Sequence, residues 1–154
     1  MGTHFKGKPS EVRALDAFVK LVRATRGIHE KLEHALADHA LTENQLGVLE
    51  MLLHLGPLCQ RALAEKLLTS GGNVTLLVDG LERRGLVKRE RNVDDRRFIT
   101  VHLTPEGRAL IERIFPLHTA NVVDALSPLT AAEQTELGRL CKKLGVPVAG
   151  GDEA

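Results

Sequence analysis

Apolar residues recur every three or four positions along most of this chain and every second position in one short part of it. Over residues 10 to about 40, Leu15, Phe18, Val22, Ile28, Leu32 and Leu36 form the stripe of an amphipathic helix. That helix is long for so small a chain, and Gly27 within it marks a bend or a close packing contact. Thr42 with Gln45 three residues on is a capping box, opening a second helix that carries Leu46, Leu49, Leu52 and Leu53 and ends near Gly56 and Pro57. A short third helix is expected over residues 60–68, with Leu63 and Leu67 inward, before TSGGN breaks the pattern. Residues 73–84 are helical again. Val74, Leu77, Val78 and Leu81 share a stripe, and Gly85 is the stop that takes the left-handed conformation.

After Gly85 the period changes from 3.6 to 2. Residues 86–91 read as one strand and residues 98–103 as another, the latter with Ile99, Val101 and Leu103 on one side. The charged segment 92–97 makes the turn between them. Thr104 and Pro105 are then the N-cap and first residue of a helix through Leu110, Ile114 and Leu117, in which Pro116 predicts a kink or short break. Thr130 and Glu133 form a second capping box, and Leu137, Leu140, Cys141 and Leu144 stripe the last helix, Cys141 reading as core. The Gly-rich tail that follows reads as disordered. No internal repeat is visible.

A chain of 154 residues is one domain, residues 1–154, with a core but no room for a second. With 43% hydrophobic and 27% charged residues it is ordinary for a soluble protein. It has no apolar run of the ~20 residues that a membrane span needs, and its start lacks an apolar secretion segment, so it is expected in the cytoplasm without a membrane partner. Cys59 and Cys141 show neither zinc spacing nor a disulfide framework. His29, His34 and His39 are spaced by five, which scatters them around a helix, so neither a metal nor another cofactor is expected. With no Trp or Tyr, stacking platforms for single-stranded nucleic acid are also not expected.

The net charge of +1 conceals one strongly basic stretch. Between residues 83 and 97 stand Arg83, Arg84, Lys88, Arg89, Arg91, Arg96 and Arg97 against only Glu90, Asp94 and Asp95. Three short helices followed by a two-stranded hairpin make a winged helix-turn-helix lobe over residues about 42–104. The fold class is therefore mainly α with a small β-wing. Such a helix enters the major groove of double-stranded DNA, where each base pair shows a distinct donor and acceptor pattern.

The face of the 73–84 helix opposite its apolar stripe is centred on Gly72, Leu76, Asp79 and Arg83, flanked by Asn73 and Thr75, and the core does not need it. Asn73 and Thr75 suit base edges, Leu76 suits a thymine methyl, and Ser70 with the neighbouring glycine amides suits phosphate. Arg83, Arg89 and Arg91 belong to the basic patch that phosphate neutralisation requires. An arginine fixed at the hairpin tip, with an aspartate orienting its planar fork, can enter the minor groove. The competing explanations are a solvated helix face with a stray leucine and a charged turn that keeps an edge hairpin from aggregating. The long helices over residues about 10–40 and 105–145 have too little chain to cover them and are more easily buried against a second copy, so a homodimer is expected.

The blocks LTENQLGVLEMLLHLGPL, ALAEKLL, NVTLLVDGLERRGLVKRE and DDRRFITVHLTPEGRAL resemble, in order and spacing, the MarR (multiple antibiotic resistance regulator) family of bacterial transcription factors. The likeness is close over residues 41–110. It implies an obligate homodimer with intertwined terminal helices, two winged lobes on a pseudo-palindromic operator, and repression relieved by a small, often phenolic or lipophilic, effector. It also implies that Asp95 buttresses Arg96 or Arg97 at the wing tip. Asn73, Thr75 and Leu76 would hold recognition-helix positions, and Gln60 and Arg61 would lie near phosphate.

Arg26, His29 and His54 fall on helices that can line an effector crevice, although each reads more readily as an ordinary surface or satisfied residue. Cys59 precedes the third helix, where a thiol can be activated, which makes a redox-sensing regulator an alternative. Family branches that sense oxidants carry their cysteine in the first helix, where this chain has none. A winged-helix module for protein interaction, without a DNA site, is a further alternative. A thiol enzyme at Cys59 lacks a histidine partner in the sequence, so the chain is not expected to be an enzyme.

Overall fold

A computed structural model describes residues 2–67 and 71–145 of the chain. Ser70 and the Gly-rich tail lie outside the described residues. The elements run α1 (Pro9–Ala37), α2 (Glu43–Leu55), β1 (Leu58–Cys59), α3 (Gln60–Leu67), α4 (Gly71–Arg83), β2 (Val87–Arg91), β3 (Ile99–Leu103), α5 (Pro105–Leu126) and α6 (Ala131–Leu144). The arrangement is a winged helix-turn-helix lobe joined to long helices at either end.

Local chemistry sets most of the boundaries. Thr42 accepts from the Gln45 amide while the Gln45 side chain reaches back to the Thr42 amide, and Thr130 and Glu133 do the same at α6. Thr104 caps α5 by accepting from the Gly107 amide at 3.0 Å, and its hydroxyl donates to the Gly85 carbonyl at 2.6 Å. Gly85 takes φ +70°, as its place after α4 requires. Apolar side chains from α2, α3, α4, α5 and the sheet meet in one core, where Leu49, Leu63, Val78, Leu81, Val101 and Ile111 are fully buried.

The structure departs from the sequence expectations in five places. Leu58 and Cys59 form a strand that pairs with Val101 and Thr100 of β3, so the sheet has three antiparallel strands in the order β1-β3-β2. α4 begins at Gly71, because its two leading glycines fit a first helical turn despite their entropic cost. Gly27 neither interrupts α1 nor packs tightly within the chain, since a Cβ there would meet nothing within 4 Å. α5 continues through Pro116 without a break, and both Pro116 and Glu112, whose carbonyl loses its donor, face solvent. Cys141 is exposed rather than core, because no residue of α6 is buried within this chain.

The start of α5 presses on the end of the helix-turn-helix. A Cβ on Gly107 would lie 1.9 Å from the Leu86 carbonyl oxygen, a backbone atom that cannot step aside. Gly107→Ala should therefore destabilise the fold by about 1–3 kcal/mol, as overpacking does, and lower the thermal midpoint. An unchanged midpoint by calorimetry would show that α5 can shift freely against the wing.

Candidate nucleic-acid interface

α4 buries Val74, Val78 and Leu81 and leaves Leu76 69% exposed, with Gly72, Thr75 and Arg83 also on the surface. Leu76, Asp79, Glu82 and Arg83 line a shallow recess on this outer side. Asn73 is half-buried near the start of the helix. α3 precedes α4 and packs against it, with Gln60 and Arg61 in its first turn. Arg61 is exposed and pairs with Glu65 one turn on, at 3.3 Å.

The centre of the site is Arg89 of β2. Its side chain is only 20% exposed. Nε donates to Gln60 Oε1 at 2.7 Å, Nη2 donates to the Thr75 carbonyl at 3.2 Å and lies 2.6 Å from Asp79 Oδ1, and Nη1 lies 3.2 Å from Glu82 Oε1. The Arg89 amide donates to the other Glu82 oxygen at 2.9 Å. Gln60 also donates to the Thr75 hydroxyl, at 3.4 Å. One guanidinium thus ties α3, α4 and the wing together. Arg89 was expected to face phosphate; the structure turns it inward, because two carboxylates of α4 sit within reach.

Arg84 is diverted in the same way, donating to the carbonyls of Ala40 at 2.6 Å and His39 at 3.3 Å. Lys88 pairs with Glu90 at 3.0 Å. Arg83, Arg91, Arg96 and Arg97 face solvent. The basic run is therefore partly scaffold and partly exposed surface, a division the sequence does not display.

At the wing tip the Asn92 amide donates to the Phe98 carbonyl at 2.9 Å, closing the hairpin beyond the Arg91–Ile99 pair. Asn92 Oδ1 accepts from the Asp94 amide at 2.9 Å and the Asp95 amide at 3.3 Å, an Asx-type turn whose signature in the sequence is Asn92 two residues ahead of the aspartate pair. Arg91 Nη1 donates to the Arg96 carbonyl at 3.3 Å. Asp95 pairs with Arg97, not Arg96: Nε to Oδ1 is 3.0 Å and Nη2 to Oδ2 is 2.8 Å, while the Arg97 amide donates to Oδ1 at 3.1 Å. The fork is bidentate, with 86% of the arginine side chain exposed.

Residues 41–99 match the sequence profile of the MarR family. YkoM of Bacillus subtilis strain 168, an HTH-type transcriptional regulator, is 33% identical over 134 residues, covering 87% of each chain. The chain belongs to the MarR family. It is accordingly a transcriptional regulator and not an enzyme. Sco3205 of Streptomyces coelicolor, a MarR family regulator solved in complex with DNA, shares the fold with a TM-score of 0.82 at 23% identity, over 93% of this chain and 91% of that one. BpsR of Bordetella bronchiseptica, whose DNA binding is regulated by 6-hydroxynicotinic acid, is 26% identical, with a TM-score of 0.76 over 83% of this chain and 97% of its own.

The other sequence candidates have separate neighbours. Arg26 lines a shallow 220 Å³ recess with Phe18, Val19, Val22 and Arg23 on α1. His29 pairs with Glu43, joining α1 to α2, and His54 stands edge-on to Phe115 with ring centres 5.1 Å apart. Cys59 Sγ accepts from the Ala62 amide at 3.4 Å, filling the cap position at the start of α3.

The side-chain hydrogen bond from Arg97, followed by that from its backbone amide, holds the Asp95 carboxyl below the usual aspartate range. Asp95 in turn raises the Arg97 guanidinium. A lowered carboxylate pKa makes the pair complete above the ordinary aspartate range and loses it as pH falls through the lowered value. Arg97→Gln should let Asp95 titrate upward toward an ordinary aspartate, measured by carboxyl carbon NMR. An unmoved Asp95 titration would remove Arg97 as the cause.

Proposed function

We propose that this MarR-family regulator binds a pseudo-palindromic operator in double-stranded DNA as a homodimer and represses until a small molecule enters. α4 is the major-groove helix, presenting Asn73, Thr75 and Leu76, and the wing brings Arg97 to the minor groove. The observation that carries the reading is the Asp95–Arg97 fork, a bidentate pair held at the far end of a closed hairpin on an arginine that is 86% exposed. An orienting carboxylate removes rotational freedom that the arginine would otherwise lose on binding. Exposed Arg83, Arg91 and Arg96 supply phosphate neutralisation, and Arg61 lies on the first turn of α3, also toward phosphate. Ser70, expected near phosphate from the sequence, lies outside the described residues. The Sco3205 complex with DNA, on the same fold, supports the reading.

Apolar surface left uncovered among the described residues supports the homodimer. Phe18 is 61% and Leu144 72% exposed, and an almost wholly apolar groove of 430 Å³ runs between α1 and α6, lined by Phe18, Leu21, Leu137, Leu140, Cys141 and Leu144. Soluble proteins rarely leave such a contiguous face in water. Two lobes then present their recognition helices about 34 Å apart, one DNA turn. Regulation of DNA binding in BpsR by 6-hydroxynicotinic acid, on a similar fold, supports a small aromatic anion as the effector class here.

Arg97→Ala should weaken operator binding about 10-fold and reduce the slope of log affinity against log salt by about one, without loss of fold. Titrating duplex from the gene's own upstream region by fluorescence anisotropy measures both, and unchanged affinity would refute the wing assignment. Leu140→Glu should yield a monomer in analytical ultracentrifugation. If the variant sediments with the mass of the unmodified protein, α6 is not the dimer face.

A further inference from the structure

Two helix ends in this protein are closed by the same device and lie against each other. After α4, the Leu86 amide donates to the Leu81 carbonyl at 3.0 Å and the Gly85 amide to the Glu82 carbonyl at 2.9 Å, the pair of bonds that defines a Schellman closure. After α1, the Leu41 amide donates to the Leu36 carbonyl at 3.4 Å and the Ala40 amide to the Ala37 carbonyl at 3.0 Å, the same pattern. The left-handed residue is Gly85 at φ +70° in one and Ala40 at φ +51° in the other. An alanine in that region is strained, so the surroundings must hold it there. Leu36, Leu41, Leu81 and Leu86, which flank the two closures, all belong to the same buried cluster.

On the outside, Arg84 bridges the two. Its Nη1 and Nη2 donate to the Ala40 and His39 carbonyls, in the turn that closes the C-terminal end of α1. These bonds account for two of the arginine's donors and turn its charge toward α1. Buried residues of α1 are confined to its C-terminal third, Leu32 and Leu36, while the residues before them stay at least partly exposed. The end of α1 is thus where the long helix is fixed to the recognition helix.

We propose that Arg84 is a positioning residue for operator recognition. By fastening the last turn of α4 to the closed end of α1, it carries the orientation of the long helices to the recognition helix. It contacts no phosphate. The functional half of this inference rests on the DNA-binding reading above; the joint itself does not.

Two measurements on the full-length protein test it. Without DNA, amide hydrogen exchange by NMR should show His39, Ala40 and Leu41 exchanging about 10-fold faster in Arg84→Ala, with the Val87–Arg91 amides unchanged. Equal exchange at residues 39–41 in both proteins would overturn the joint. With DNA, Arg84→Ala should bind the upstream duplex about 10-fold more weakly at an unchanged salt slope. It should also discriminate less against a duplex whose half-sites are moved apart by one base pair. A salt slope reduced by about one would make Arg84 a phosphate contact and overturn the proposal. Unmodified protein that binds no duplex would sink the DNA reading, while the exchange measurement still decides the joint. Ala40→Gly, which relieves the left-handed strain but keeps both carbonyls, should preserve operator binding and discrimination; a loss equal to that of Arg84→Ala would assign the effect to the turn rather than to the arginine.

Discussion

The guanidinium of Arg89 stands between the carboxylates of Asp79 and Glu82 and donates its remaining hydrogen bonds to the Gln60 side-chain oxygen and the Thr75 carbonyl, at 20% exposure. The arginine is largely shielded while both carboxylates stay 42% exposed, so the joint is held by four partners fixing one guanidinium rather than by a buried ion pair. The wing, α3 and α4 therefore keep one mutual geometry. Everything proposed for the outer face of α4 and for the wing tip presupposes that geometry, because a groove-reading helix and a minor-groove arginine are useful only at a fixed separation.

With Arg89 and Arg84 engaged internally, the basic stretch divides by solvent access and by neighbour. Arg84 and Arg89 end on backbone carbonyls, an amide oxygen and carboxylates of the lobe itself, whereas Arg83, Arg91, Arg96 and Arg97 face outward. A net charge of +1 is compatible with DNA binding on these terms. Affinity for phosphate depends on how many cations can release counterions at the contact surface, not on the total for the chain.

Helical periodicity, the capping boxes at Thr42 and Thr130 and the left-handed Gly85 made most elements readable in advance, because each is decided within a few residues. Strand β1 was not readable. Two residues have no period, and Leu58 and Cys59 become a strand only by pairing with residues some forty positions later. The Asp95–Arg97 fork was half visible: adjacency brought the carboxylate to the arginines, but the choice between Arg96 and Arg97 depends on the turn that Asn92 sets up. The inward turn of Arg89 was invisible, since Gln60 lies 29 positions away. For Cys141 the apolar stripe was read correctly as a stripe and wrongly as core; periodicity identifies a face to be covered but not what covers it.

The same distinction explains why the long helices matter to recognition. α1 has 29 residues, a length of about 43 Å at 1.5 Å per residue, and its buried residues lie near one end. Its far portion and α6 carry the uncovered apolar surface. Such a rod is a lever: with its far portion held, a tilt of about 5° moves the anchored end, and α4 with it, by about 4 Å. That displacement is about one nucleotide step along a DNA strand, ~3.4 Å, enough to move a recognition helix out of register with its half-site. Under the proposed regulation, a molecule lodged among the long helices needs only a small preference for one tilt over another, and its effect on DNA affinity is limited by that difference in binding free energy.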